Sequence, residues 1–325
     1  MTSSPPHPLT PSSPQSFDAA LFGLIVADVI AAPMKVRTPP DAGGLQLIET
    51  IELTTGGNVP NSGIAMAKLG AKVAAAGAVG KDVLGAAVVD RLKQAGVDVA
   101  CVFADERAQT SATVVAVEPG GERCFFHVQG ATTLLDAAAF RRCFDLFRRC
   151  DWVQIGYFGL LPALTPDLPQ LLKELRAIAP RAKIAVDTVN PPAEWTLLEP
   201  ILPLVDFFAP SRTEASALTG ETDAKAIVAA LRRHMKSGLI GIKLDSEGCC
   251  LDDGNGAVFC PACKVEVVDT TGAGDTWFGA LLVALQKKMP LEQAGRFANR
   301  AAADCCTALG ASAGVKSFEQ TVARL

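Results

Sequence analysis

Beyond residue 16 the chain alternates short apolar runs with stretches of helical periodicity. Leu21–Ala27 predicts a buried strand. Asn61–Leu69 predicts a helix, followed by strand Lys72–Ala78. Lys81–Ala95 predicts a helix that Gly96 ends. Helix Asp136–Arg149 precedes strand Trp152–Ile155, and helix Leu168–Ile178 precedes strand Lys183–Asp187. Asp206–Ala209 and Leu239–Leu244 predict further strands, and Thr276–Lys288 and Leu291–Ala308 further helices. Strands that alternate with helices of this length imply βαβ units, hence a parallel sheet covered on both faces. No internal repeat is visible.

Two stretches break the rhythm. Leu45–Leu53 alternates partly with period two. Ser111–Glu118 and Arg123–Gln129 flank Pro119-Gly120-Gly121, a hairpin signal. These runs predict a small antiparallel sheet beside the main layer, a lid made from residues 35–55 and 99–129. Residues 1–16 are rich in Pro and Ser, lack apolar periodicity and read as a disordered tail. The α/β core then takes residues 17–34, 56–98 and 130–325.

Charge and composition narrow the function classes. The chain of 325 residues carries 30 Lys+Arg against 34 Asp+Glu, which argues against duplex nucleic acid as a partner. The longest apolar stretch, Ala19–Met34, is interrupted by Gly23, Asp28 and Pro33, so no membrane span is expected. The first basic side chain is Lys35, so a secretory leader is not expected either, and the reading is cytoplasmic. The ten cysteines then read as thiols. Cys260-Pro261-Ala262-Cys263 lacks the second pair that a structural zinc site needs. The G-x-x-x-x-G-K-[ST] loop and a G-x-G-x-x-G after the first strand are both missing.

The segment Val267–Ala280 carries the chemistry. An apolar strand leads through Thr270, Thr271, Gly272, Ala273 and Gly274 into a helix. Amides at a helix start are unpaired and lie at the positive end of its dipole, which makes an anion site. Asp275 sits in the same turn. A carboxylate there suits proton removal from a hydroxyl while the amides stabilise a transferred phosphoryl group. A Gly-rich connection with an acid favouring the dipole reads equally well from these residues alone.

Asp269–Leu282 resembles the C-terminal signature of the ribokinase-like (PfkB) carbohydrate kinase family at every position. The N-terminal signature is matched by Gly56-Gly57-Asn58-Val59-Pro60-Asn61, then Ala67–Ala71 and Gly77–Asp82. The resemblance runs from about Leu21 to Ser317. It implies a three-layer α/β/α sandwich with a mainly parallel sheet and a small antiparallel β-lid. It also implies ATP-dependent phosphorylation of a sugar hydroxymethyl group. By the same resemblance Asp275 is the base, with Gly272, Ala273 and Gly274 as the anion hole. Asp28, at the end of the first strand, would hold sugar hydroxyls together with Gly57, Asn58 and Asn61. Glu214, in Ser211-Arg212-Thr213-Glu214, would organise Mg²⁺ through water, although Ser211 stands where the family has Asn. Lys243, Gly248 and Asn299 would lie near the nucleotide, with Asp245 in place of a Gly. Asp269 and Thr271 would offer oxygens to a monovalent cation such as K⁺. The exposed lid edges would suit a homodimer.

Two other readings stay open. A nucleoside kinase of the same superfamily would need an aromatic platform from Phe125, Phe126, Tyr157 or Phe158. A sugar sensor without turnover is the other, prompted by the departures at Val59, Ser211 and Asp245. The sugar is not legible: ribose kinases often carry Asn where Val26 stands, and Glu where Gly156-Tyr157-Phe158-Gly159 follows the strand.

Overall fold

The computed structural model describes residues 16–120, 122–189 and 195–325. Its strands are β1 (Phe17–Phe22), β2 (Val26–Ala32), β3 (Thr50–Gly56), β4 (Val73–Gly80), β5 (Asp98–Asp105), β6 (Ser111–Val117), β7 (Arg123–Val128), β8 (Cys150–Ile155), β9 (Lys183–Val186), β10 (Phe207–Phe208), β11 (Leu239–Lys243), β12 (Gly248–Asp252) and β13 (Val258–Pro261). The helices are α1 (Asn58–Lys68), α2 (Val83–Gln94), α3 (Ala137–Arg142), α4 (Phe144–Phe147), α5 (Leu168–Ile178), α6 (Trp195–Leu198), α7 (Arg212–Thr219), α8 (Ala224–Arg232), α9 (Ala273–Gln286), α10 (Leu291–Cys305) and α11 (Phe318–Val322).

A nine-stranded sheet runs β13-β12-β11-β10-β9-β8-β1-β4-β5. Its pairs from β11 to β5 are parallel, and β12 and β13 close that edge antiparallel. Helices cover both faces. On one face Phe22, Phe140 and Phe147 pack ring against ring over β1. On the other, α1, α9 and α10 bury Met66, Trp277, Phe278 and Phe297. Burial of this kind, about 1.5–3 kcal/mol per large apolar side chain, holds the two layers to the sheet. The expected three-layer α/β/α sandwich is thus present.

The second sheet runs β3-β2-β6-β7. It is mixed rather than purely antiparallel, because β2 and β6 pair parallel. Its membership differs from the expected lid. The single strand expected over Leu21–Ala27 is two strands in different sheets. The chain leaves the large sheet at Gly23, whose φ of 153° and missing Cβ allow a turn: a Cβ there would lie 2.4 Å from Asn58 Oδ1. Val26–Ala32 therefore joins the lid, and Asp28 is a lid residue, not a residue of the large sheet's first strand. Conversely, β5 pairs with β4 at the edge of the large sheet instead of entering the lid. Leu45 and Leu47 are exposed and lie outside any strand. The hairpin between β6 and β7 is as expected, closed by Glu118 N–H donating to Glu122 O at 2.7 Å. Gly121 of its turn, like residues 1–15 of the expected tail over 1–16, lies outside the described residues. The expected helix Asp136–Arg149 divides at Cys143 into α3 and α4. Among the described residues no helix is long and apolar enough to cross a membrane.

Candidate active site

Helix α9 starts one turn earlier than its apolar periodicity suggests, so Ala273, Gly274 and Asp275 form its first turn. Gly272 is its N-cap with φ 72°, and a Cβ there would meet Ala311 Cβ at 2.5 Å. Only glycine fits that left-handed, close-packed position. No side chain caps this helix. The Ala273 amide turns back to Thr270 O at 3.2 Å, while no acceptor is assigned among the described residues to the amides of Gly272, Gly274 and Asp275. The amides left without an acceptor are therefore those of Gly272, Gly274 and Asp275, and the Ala273 amide of the expected trio is already engaged.

Asp275 is 4% exposed. Its Oδ2 accepts from Asn61 Nδ2 at 2.8 Å and from the Tyr157 hydroxyl at 2.8 Å. Ser62 Oγ donates to the Asp275 carbonyl at 3.1 Å, and Gly279 lets α9 approach Met66 and Ser62 of α1. Packing of α1 on α9 thus brings residues 214 apart in sequence into contact. Burial pushes the Asp275 carboxyl above its ordinary value, opposed by Asn61, Tyr157 and the nearby Lys243.

Lys243 ends β11 beside this turn, and its Nζ pairs with Asp187 Oδ1 at 2.7 Å. A Cβ built on Gly274 would lie 3.8 Å from Lys243 Nζ, so the ammonium flanks the helix start. Asp187, just past β9, is 1% exposed; burial pushes it up to about 7, against the pull of Lys243. Glu214 folds into a capping box with Ser211, its Oε2 accepting from Ser211 N at 2.8 Å and from Thr188 Oγ1 at 2.9 Å. Serine at 211 is a strong helix cap, so this departure keeps Glu214 fixed. Asp245 adopts a φ of 51° where the family has Gly, a conformation Asp tolerates better than most residues.

The lid supplies the opposite wall. Asp28 faces a cleft with Thr54, Val115, Arg123, Phe125, Asp269 and Gly310. Burial pushes its carboxyl up to about 6, with a Thr113 hydrogen bond opposing. Gly56 is needed beside it, since a Cβ there would fall 2.1 Å from Asp28 Oδ2. Gly57 caps α1 with φ 84°, and a Cβ there would meet Leu24 O at 2.5 Å.

Three expected ligands take other roles. Asn58 is fully buried, its Oδ1 accepting from Leu24 N at 2.9 Å, and it packs where Gly23 and Gly156 lack side chains. It shapes the turns at Gly23 and Gly156, whereas Asn61 reaches Asp275. Asn299 spends both amide groups on the scaffold: Oδ1 accepts from Trp277 Nε1 at 2.9 Å, and Nδ2 donates to Cys260 O and Pro261 O at 2.8 and 3.0 Å. Gly248 starts β12, and a Cβ there would meet Cys260 O at 2.1 Å, so it serves strand pairing.

Asp269 and Thr271 do not fit a K⁺ seat. Asp269 Oδ1 accepts from Thr271 N at 2.7 Å and pairs with Arg123 Nη1 at 2.7 Å, while Oδ2 accepts from Gly310 N at 2.8 Å. Arg123 also donates to Thr271 Oγ1. Burial alone would raise Asp269, but the Gly310 and Thr271 amides and Arg123 hold it below the ordinary range. A guanidinium already answers this charge. Among the described residues no group of three or more His, Cys, Asp or Glu could hold a metal ion, and Cys260 and Cys263 are free thiols.

Asp187, Thr188 and Arg123 were missed from sequence. Asp187 ends a predicted strand, where ligands gather in α/β sheets, so that signal was present. Arg123 carried none, because its partner is 146 positions away. Of the four candidate aromatic platforms only Phe125 lines the cleft. Phe158 is 1% exposed in the core, Phe126 alternates to the lid's other face, and Tyr157 is bonded to Asp275.

The family model described as pfkB family carbohydrate kinase matches residues 17–317. The ribokinase of Haemophilus influenzae is 27% identical over 312 residues, covering 93% of this chain and 96% of that protein. Fructokinase-1 of Oryza sativa subsp. japonica is 31% identical over 300 residues, covering 86% and 91%. The solved structure of Arabidopsis thaliana ribokinase complexed with ribose and ATP superposes with a TM-score of 0.78 at 23% identity, covering 95% of this chain and 98% of that one. With the family model matched over residues 17–317, the chain belongs to the pfkB family of carbohydrate kinases.

Proposed function

We propose that this enzyme moves the γ-phosphoryl group of ATP to the hydroxymethyl oxygen of a sugar, with Asp275 as general base. The observation that carries the reading is a buried carboxylate in the first turn of α9, beside amides without acceptors and flanked by the Lys243 ammonium. The sugar lies in the cleft between lid and large sheet, its hydroxyls held by Asp28 and Asn61. Asp275 takes the proton from the attacking hydroxyl. The Gly272, Gly274 and Asp275 amides and Lys243 meet the charge on the transferred group, where fixed donors are worth most. The lid excludes water and limits wasteful ATP hydrolysis.

The site suits Mg²⁺, which keeps most of its waters and needs one or two carboxylates. Glu214 would hold it through water, one oxygen being fixed by Thr188 and Ser211 and the other left for the ion's shell. Bound there, it would neutralise phosphate charge. No step is assigned to K⁺.

The test is ADP release with a panel of sugars, ribose and fructose first because relatives carry those names. Asp275→Asn should lower turnover roughly 10²–10⁴-fold with the fold intact. Near-normal turnover in that variant rejects the mechanism, and sugar binding without any turnover in the unmodified protein favours a sensor. Nucleosides belong in the panel because Phe125 lines the cleft. For self-association, exposed Ile51, Val114 and Phe126 on the lid's outer face support a dimer there, which size-exclusion chromatography of an Ile51→Glu variant tests.

A further inference from the structure

We propose that Tyr157 is a positioning residue for the base: its phenol, with Asn61, locks Oδ2 of Asp275 so that the other carboxylate oxygen is the one offered to the substrate hydroxyl. This rests on Asp275 being the base, and it adds a residue that family resemblance does not supply, since Gly156-Tyr157 stands where ribose kinases often carry Glu.

Three observations converge on this residue. The Tyr157 hydroxyl donates to Asp275 Oδ2 at 2.8 Å, the same atom that accepts from Asn61 at 2.8 Å. No hydrogen bond is assigned to Oδ1 among the described residues. Two donors on one oxygen fix the carboxylate plane and leave the second oxygen's lone pairs free.

The backbone is bent to place the phenol there. Tyr157 has φ 54°, ψ 47°, one of three non-glycine residues with positive φ among the described residues. A bulky residue in that region costs of order 1–3 kcal/mol and persists only where its surroundings over-determine it. They do so on both sides. The Gly156 amide donates to Phe22 O at the end of β1 at 3.1 Å, and the Phe158 amide donates to Asp187 O at 3.1 Å. Gly156 itself has no room for a Cβ, which would meet Asn58 Nδ2 at 2.0 Å. Asn58 and Asn61, three apart on α1, thus act together: one shapes the turn that presents Tyr157, the other shares its acceptor.

The charged and titratable groups around the Tyr157–Asp275 pair are Lys243, Asp187 and Glu214 from the sheet ends and Asp28 from the lid. Against that set Tyr157 and Asn61 are the neutral donors on the carboxylate. A donor on a carboxylate favours its ionised form, so losing the donor raises the pH at which the base becomes active.

The chain has one tyrosine, which makes the contact directly readable. In the unmodified protein the phenol should titrate well above its ordinary pH, and in Asp275→Asn the midpoint should fall by about one unit or more as the neighbouring charge is lost. This arm needs neither turnover nor a tyrosine variant. In the second arm, Tyr157→Phe should move the acid limb of kcat/KM upward by about one pH unit and lower its plateau roughly tenfold. A tyrosine titration indifferent to Asp275→Asn, or a Tyr157→Phe profile with an unmoved acid limb, overturns the proposal. If the titration is coupled but no sugar or nucleoside is phosphorylated by the unmodified protein, the Tyr157–Asp275 pair stands and the kinase mechanism falls.

Discussion

Asp269 and Asp275 stand six residues apart around one turn, 3% and 4% exposed, and they are chemical opposites. Asp269 is met by a guanidinium and two amides and is held below the ordinary carboxylate range. Asp275 is met by two neutral side chains, with its nearest cation already paired to Asp187, and burial pushes it up. Similar solvent exposure therefore goes with an anchored anion at one end of the turn and, at the other, a deeper-set carboxyl whose ionised form is disfavoured. Depth and partners, not the residue type, set the two carboxyls apart. The division also crosses the cleft: Asp269 is tied to lid strand β7, whereas Asp275 is tied to α1 and to the turn after β8.

The largest effect expected is on Asp275. Asn in its place should cost roughly 10²–10⁴ in kcat, read by ADP release, without lowering the melting temperature, because a neutral isostere avoids burying charge. Lys243→Met should come next, with kcat lowered on the order of 10²-fold as the cation at the helix start is lost. Its melting temperature should change less than its rate, since Asp187, already pushed up to about 7, takes a proton once its partner is gone. Arg123→Ala breaks the other half of the comparison. It leaves the Asp269 carboxylate buried and unpaired at a cost of about 3 kcal/mol, read as a lower denaturant midpoint. It should also raise the sugar KM as the lid loses its tie.

The smallest effect is a matter of pH. Asp28 has its folded value raised to about 6, so the folded state binds more protons than the unfolded chain between that value and about 4. Stability from this group is therefore full below pH about 4 and lost as pH rises through about 6. Asp28→Asn should melt higher than the unmodified protein above pH 6 and alike near pH 4, while binding sugar more weakly. Equal melting curves across that range would remove Asp28 from the strained side of the site.

Much of the site was legible because its signals are local. The turn Gly272–Asp275 couples conformation and chemistry within four residues, and helix Leu168–Ile178 was read with its observed ends because its apolar stripe has no competing pattern. The rest depends on pairs that sequence spacing does not reveal. Asp28 looked like a strand-end acid of the large sheet because Leu21–Ala27 is apolar on both sides of Gly23. The turn there follows from Asn58 filling the space, a contact 35 positions away. Asn299 and Gly248 looked ready for nucleotide, and both are spent on fastening β12, β13 and α10. Tyr157 looked like a platform for a base, and its ring is committed by a hydrogen bond 118 positions away.

The most direct measurement compares single-turnover phosphoryl transfer in Asp275→Asn and Asp269→Asn, both against the unmodified protein and with the best sugar in the panel. The account predicts that Asn at 275 slows transfer by at least about 10² while the protein stays as stable. Asn at 269 should mainly lower stability and leave the transfer step within a few-fold. Comparable transfer rates in the two variants, or a faster step in Asp275→Asn than in Asp269→Asn, would contradict it.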